Sequence, residues 1–249
     1  MIIGKGRNGM QREDGRGLAD LRPVRLTPNF SRFAEGSCLV ECGDTMVLCC
    51  ASVEYRTPNF IPRGEGWVTA EYNMLPRANR ERKARDISRL KLNPRSAEIQ
   101  RLIGRSLRSA IDLKRLGEHM ITVDCDVLQG DGGTRTASVT GGFVALALAC
   151  RWLVEERELF SSPLRHYVTG ISAGIVDDYA MLDLRYEEDS RAQVDLNCIM
   201  NEAGELIEIQ GTGEGRAFTI QEQQELLRLC AKGNKELLAL QKEALGGNI

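Results

Sequence analysis

Residues 120–143 restrict this chain more than any other stretch. MITVDCDVLQ (120–129) alternates apolar and polar positions from Ile121 to Val127, GDGGTRT follows at once, and an apolar helical pattern begins immediately after it. Strict alternation specifies a strand with one face on a core. The helix places Val139, Phe143, Leu146, Ala147, Cys150 and Leu153 on one side, so it supplies the surface that such a strand must cover. The chain therefore reads as α/β, and other segments extend the pattern. Strands are expected at 21–26, at 38–53 as a pair turning near Gly43 and Asp44, at 168–176, at 180–184, and at 193–210 with a turn at 202–204. Helices are expected at 97–116, ended by Gly117, and from 221 to about 244. The stretch 55–94, rich in Gly, Pro and Arg, reads as a long binding loop in which Trp67 and Tyr72 would stack on bases or simply pack.

Charge is distributed unevenly. The net charge is -2, from 33 basic and 35 acidic residues. Residues 77–95 nevertheless carry eight Lys or Arg against Glu81 and Asp86, a local excess of +6. Such a patch suits a polyanion while the rest of the molecule stays acidic, and a solvated surface is the competing account. The longest unbroken apolar run, residues 143–150, has eight members where a membrane span needs about twenty, and MIIGKGRNGMQ has no apolar stretch of signal-peptide length. A cytoplasmic protein with no membrane association is expected. Eight cysteines without zinc-knuckle spacing are expected to be reduced and structural, and His119 with His166 is too few for a His-rich metal site.

Three constellations carry chemistry. In residues 130–136 the glycines allow a tight turn and close backbone approach, Thr134 and Thr136 offer hydroxyls, Arg135 offers a five-donor fork, and the helix that follows presents its positive end. This pattern suits phosphate, although it matches neither a Walker A loop nor a dinucleotide turn, and a plain turn with a helix cap would look similar. Arg95 opens the helix of 97–116, with Arg101, Arg105 and Arg108 partly sharing a polar face. In EEDSRAQVD, Asp189 and Asp195 share a face if the segment is extended, and carboxylates there would protonate a leaving oxygen or hold a divalent ion. Asp124 and Asp126 alternate along residues 120–129 and are candidates for the same cleft.

DGRGLADLRP (14–23), FAEGSCLVECGDT (33–45), GWVTAEYNMLPR (66–77), AEIQRLIGRSLR (97–108), DCDVLQGDGGTRTASVTGGF (124–143), EEDSRAQVDLN (187–197) and EIQGTGEG (208–215) together resemble the bacterial ribonuclease PH family, from about residue 14 to 241. The resemblance implies a phosphorolytic 3′-to-5′ exoribonuclease, a tRNA nucleotidyltransferase that trims tRNA precursors and acts in RNA processing more widely. It implies phosphate binding at Arg95, Gly133, Thr134 and Arg135, and paired carboxylates at Asp189 and Asp195, which would also be the ligands of any divalent cation such as Mg²⁺. RNA contacts are implied at Arg77, Arg82 and Arg85. The implied fold resembles domain 2 of ribosomal protein S5, a mixed sheet packed against helices, in a single catalytic domain over 14–245 after an extension at 1–13. The implied assembly is a homohexamer built as a trimer of dimers.

Some residues depart from the family pattern. Pro94 and Ser96 stand where glycine and threonine are usual around the phosphate arginine, and Pro94 restricts both itself and Asn93. Gly130 and Gly142 replace alanines. Two rivals are a noncatalytic RNA-binding scaffold of the same fold, expected if the arginines or carboxylates were lost, and a mononucleotide-binding enzyme.

Overall fold

The computed structural model describes residues 12–85, 93–247 and 249. Residues 1–11 of the N-terminal extension, together with Asp86, Arg89 and Lys91 of the basic stretch, lie outside the described residues. Alternation along the chain is resolved into two sheets. β1 (Val24–Pro28), β2 (Gly36–Cys42), β3 (Thr45–Glu54), β4 (Trp67–Met74) and β5 (Met120–Gln129) form one, in the order β1-β2-β3-β5-β4. Its neighbours are antiparallel except for β4 and β5, which run parallel. The connection between those two passes through α1 (Pro94–Ser109) and α2 (Leu113–Leu116), as a parallel pair requires. After α3 (Thr134–Glu155) come β6 (Val168–Val176), β7 (Tyr179–Leu182), α4 (Tyr186–Asp189), β8 (Val194–Asn201), β9 (Leu206–Gly213) and α5 (Ile220–Ala244). The second sheet is antiparallel in the order β7-β6-β8-β9.

Helix α3 lies between the sheets, packing on β2, β3 and β5 from one side and on β6 from the other. This is why it is buried nearly all round rather than along one stripe. By length and composition it could cross a membrane, but 83% of its most apolar window is inside the protein, as befits a core helix. Close approach to β2 depends on two glycines: a Cβ on Gly36 would sit 2.0 Å from the Ala145 carbonyl, and one on Gly141 would sit 2.0 Å from Val40 Cγ2. Phe143 at the helix centre is fully buried, and its truncation to alanine would cost about 3–5 kcal/mol. Helix α1 packs on β4 and α3, while α5 covers β6 and β7.

Four expectations need correction. Residues 55–94 are not one loop, because WVTAEYNM forms β4 with Val68, Ala70 and Tyr72 turned inward. Tyr72 is 2% exposed, so it cannot stack on a base, and Trp67 packs edge-on against Phe60 with the Arg108 guanidinium over its ring. The helix expected at 97–116 breaks after Ser109, because Asp112 accepts from the Lys114 and Arg115 amides and starts α2 afresh. The first strand begins at Val24 rather than Leu21. The eight cysteines are free thiols; burial pushes Cys38 and Cys42 up to about 12, as inert buried thiols require.

Candidate active site

The loop between β5 and α3 is built for close approach. Gly132 and Gly133 have φ of +75° and +64°, and a Cβ on Gly132 would meet the Leu184 carbonyl at 2.4 Å. Thr45 clasps the loop from β3: its hydroxyl donates to the Gly132 carbonyl at 2.7 Å and accepts from the Asp131 amide at 2.9 Å. The start of α3 is thereby aimed at a cleft of about 640 Å³ lined by Arg95, Gly133, Thr134, Arg135, Asp189 and Asp195. Phosphate and carboxylate candidates separated by a hundred residues of sequence thus meet in one place. The two threonines divide their roles. Thr134 faces the cleft with its hydroxyl 2.8 Å from the Tyr72 hydroxyl, whereas Thr136 is buried and donates back to the Gly133 carbonyl within the first turn of α3, outside the cleft lining.

Arg95 reaches the cleft from the first turn of α1, whose cap is Asn93 in an extended conformation, accepting from the Arg95 amide at 3.0 Å. Pro94 occupies the first helical position, where its fixed φ and missing N–H suit the helix. The restriction that Pro94 imposes on Asn93 is therefore the conformation the cap needs. Arg135 donates to Gln210 Oε1 at 2.9 Å and lies 3.8 Å from Glu98, while Gln210 donates to Glu98 at 2.9 Å. Gln210 on β9 and Glu98 on α1, which steer the Arg135 fork, lie in stretches of the family pattern that do not single them out; the packing of α1 against β9 reveals them.

Asp189 sits at the end of α4, not on an extended segment, and Asp195 is on β8. Their even spacing is therefore not what brings them together; a helical turn followed by a strand does. Burial and then the Asp189 charge push Asp195 up to about 6, with Arg135 and an Asn197 amide at 3.0 Å opposing. Burial also raises Asp189, against the pull of Arg95. Asp126 lines this cleft as expected, but Asp124 belongs to a separate sheet-face depression beside Glu71. Of the three arginines expected to bind RNA, Arg85 lines the cleft, while Arg77 and Arg82 are exposed outside its lining. Ser96, the departure beside Arg95, also lines it, as do Ser172 and Tyr186, which no motif singled out.

Residues 20–151 match the 3′ exoribonuclease family, domain 1, and residues 166–233 match domain 2 of the same family. The chain belongs to the 3′ exoribonuclease family. It is 54% identical over 236 residues to ribonuclease PH of Crocosphaera subtropica (strain ATCC 51142 / BH68), covering 94% of this chain and 98% of that one. It is 50% identical to ribonuclease PH of Moorella thermoacetica (strain ATCC 39073 / JCM 9320), covering 95% of each. The Archaeoglobus fulgidus exosome with RNA bound to the active site shares the fold, with a TM-score of 0.79 at 24% identity over 92% of each chain. Rice Rrp46 shares it as well, with a TM-score of 0.77 at 18% identity over 94% of this chain and all of that one. This exoribonuclease is phosphorolytic and works from the 3′ end. With that activity shown, the noncatalytic-scaffold alternative falls away.

Proposed function

We propose that the cleft holds inorganic phosphate and an RNA 3′ end side by side, with Arg95, Arg135, Thr134 and the Gly133 backbone orienting the phosphate and Asp195 serving the departing oxygen. The convergence of Arg95, the glycine loop, Asp189 and Asp195 on one cavity carries this reading. A phosphate oxygen attacks the terminal phosphodiester, the bond from phosphorus to the ribose 3′-oxygen breaks, and that oxygen takes a proton from Asp195. The products are RNA one nucleotide shorter and a nucleoside 5′-diphosphate. No protein nucleophile is needed, because alignment and charge stabilisation supply what phosphoryl transfer demands. Burial keeps Asp195 protonated to a higher pH than an ordinary carboxyl, as a proton donor needs.

Among the described residues there is no group of three His, Cys, Asp or Glu poised for a metal. Two carboxylates close enough that the Asp189 charge raises the proton affinity of Asp195 nevertheless fit a Mg²⁺ ion, which takes one or two carboxylates and completes its shell with water and phosphate oxygens. Asp189 and Asp195 would hold it, and it would neutralise charge on the transferring phosphoryl group. The substrates are tRNA precursors with 3′ extensions and other RNA 3′ ends, captured by the basic stretch that includes Arg77, Arg82 and Arg85, in a cytoplasmic homohexamer made as a trimer of dimers. Incubation of a 3′-extended tRNA with and without phosphate tests the reading. Nucleoside diphosphates should appear only with phosphate; nucleoside monophosphates released at an undiminished rate without it would establish hydrolysis instead.

A further inference from the structure

Behind the cleft, outside its lining, lies a buried charge cluster that takes no part in the phosphoryl transfer itself. Arg12, Arg22, Asp183 and Glu188 are each 5% exposed or less. Arg22 grips Asp183 with its amide at 2.8 Å, Nε at 3.0 Å and Nη2 at 2.7 Å, and its Nη1 donates to the Asp131 carbonyl of the glycine loop. Arg12 grips Glu188 through Nε at 2.7 Å and through Nη2, and also donates to the carbonyls of Leu182 at 2.6 Å and Asp183 at 2.9 Å. Arg16 adds a bond to the Asp183 carbonyl at 3.1 Å. Glu188 in turn accepts from the Arg185 amide at 3.1 Å, fixing the first turn of α4, which ends at Asp189.

The cluster holds a backbone shape that would not persist unaided. Asp183 has φ of +52°, in the left-handed region, which a non-glycine residue keeps only where its surroundings enforce it. Burying this many charges is expensive unless every partner is satisfied. Stability alone is a weak reason to keep such a cluster, since packed apolar side chains often do as well. Its placement supplies another reason: one arginine joins the glycine loop to the 182–184 turn, and the other joins that turn to the helix bearing Asp189.

We infer that Arg22 and Arg12 are positioning residues, a two-arginine brace that sets the separation between the phosphate loop and the carboxylate turn. The inference rests on the assignment of the loop to phosphate and of Asp189 to the reacting end. It makes the two arginines separable. Arg22 reaches the loop, so disturbing it moves the phosphate site; Arg12 and Glu188 reach only the turn and α4, so disturbing them moves Asp189 and leaves the loop in place.

The test is steady-state phosphorolysis of a short oligonucleotide with phosphate varied, on Arg22→Lys, Glu188→Gln and Arg22→Met/Asp183→Asn, with thermal unfolding measured on each. Lysine lacks the fork and cannot hold Asp183 and the Asp131 carbonyl together. Arg22→Lys should raise the phosphate KM about tenfold or more, and Glu188→Gln should lower kcat about tenfold with the phosphate KM within twofold of the parent. Displacement of a reacting group by about 1 Å is worth up to about 10²-fold. The double variant removes both charges and keeps an asparagine suited to positive φ; it should remain folded with the phosphate KM still raised. An unchanged phosphate KM in either folded Arg22 variant would overturn the brace, as would losses in all three that track only the folded fraction. Arg135→Ala run in the same series separates the two levels: if its phosphate KM is unchanged, the loop's assignment to phosphate has failed, whatever the brace does.

Discussion

The glycine loop at residues 130–136 and the basic segment at residues 77–85 both bring arginine to the cleft, but they are held in opposite ways. The loop is clasped by Thr45, bridged by Arg22 and continued into a helix buried on all sides, and its Arg135 is steered by Gln210 and Glu98. The segment is tied to the loop's own edge, where the Gly130 amide donates to the buried Ala78 carbonyl at 2.8 Å. Beyond that tie its arginines stand in solvent, and Arg80 pairs with Glu187 across an exposed surface. Preorganised donors act where charge develops and need no rearrangement at the moment of reaction, which makes each worth several kcal/mol. Solvated arginines contribute through release of counterions from the polymer, a little for each phosphate neutralised and strongly dependent on salt. The molecule thus separates chemistry, on fixed backbone, from capture, on a polar surface.

Substitutions inside the fixed region should have the largest effects. Asp195→Asn should lower turnover about 10²- to 10⁴-fold, the range for loss of a general acid, and yet stabilise the fold. Asp195 sits at about 6 against an ordinary 3.8, so the folded state holds its proton more tightly than the unfolded chain, and stability falls as pH rises through that window. Above pH 6 the penalty is fully present, and the asparagine variant should be more stable than its parent by on the order of 1–3 kcal/mol, vanishing below about pH 4. Denaturant unfolding at pH 4 and pH 7.5 checks the sign. Arg135→Ala should slow the reaction about 10²- to 10³-fold if the magnitude for a charge-stabilising donor transfers, measured at subsaturating phosphate on a folded variant.

Thr45→Val leaves the Gly132 carbonyl and the Asp131 amide without their partner and should cost about 1–3 kcal/mol of stability, read by the unfolding midpoint, with a raised phosphate KM as the loop loosens. The smallest effect per residue should lie outside the fixed region. Replacing Arg77, Arg82 and Arg85 by alanine should flatten the salt dependence of RNA binding by about 0.7 log units for each RNA phosphate left without its arginine and depress activity on a folded tRNA precursor far more than on a short oligonucleotide. Equal losses on both RNAs with an unchanged salt slope would move these arginines into the fixed region.

Sequence alone revealed the parts of this division unevenly. Period-two alternation located β5 at its observed bounds, and the turn near Gly43 and Asp44 located the β2–β3 hairpin. The β4 strand was hidden because Gly, Pro and Arg on either side of WVTAEYNM outweighed its own alternation, although Val68, Ala70 and Tyr72 carry that signal. Arg95, Thr134, Arg135, Asp189 and Asp195 stood out because they sit in motifs, but the reason Asp189 meets Asp195 did not, since a single helical turn at residues 186–189 leaves too little pattern to read. The division of strands between two sheets, and the partners Gln210, Glu98 and Asn197, depend on long-range packing that no local period encodes.

Phosphate saturation curves on one short oligonucleotide, compared for the parent, Arg135→Ala and the Arg77/Arg82/Arg85 triple alanine variant, test the separation of chemistry from capture most directly. The account predicts a steep rise in phosphate requirement for Arg135→Ala and an unchanged requirement for the triple variant. A shift of equal size in both, or none in Arg135→Ala with its fold intact, would contradict it.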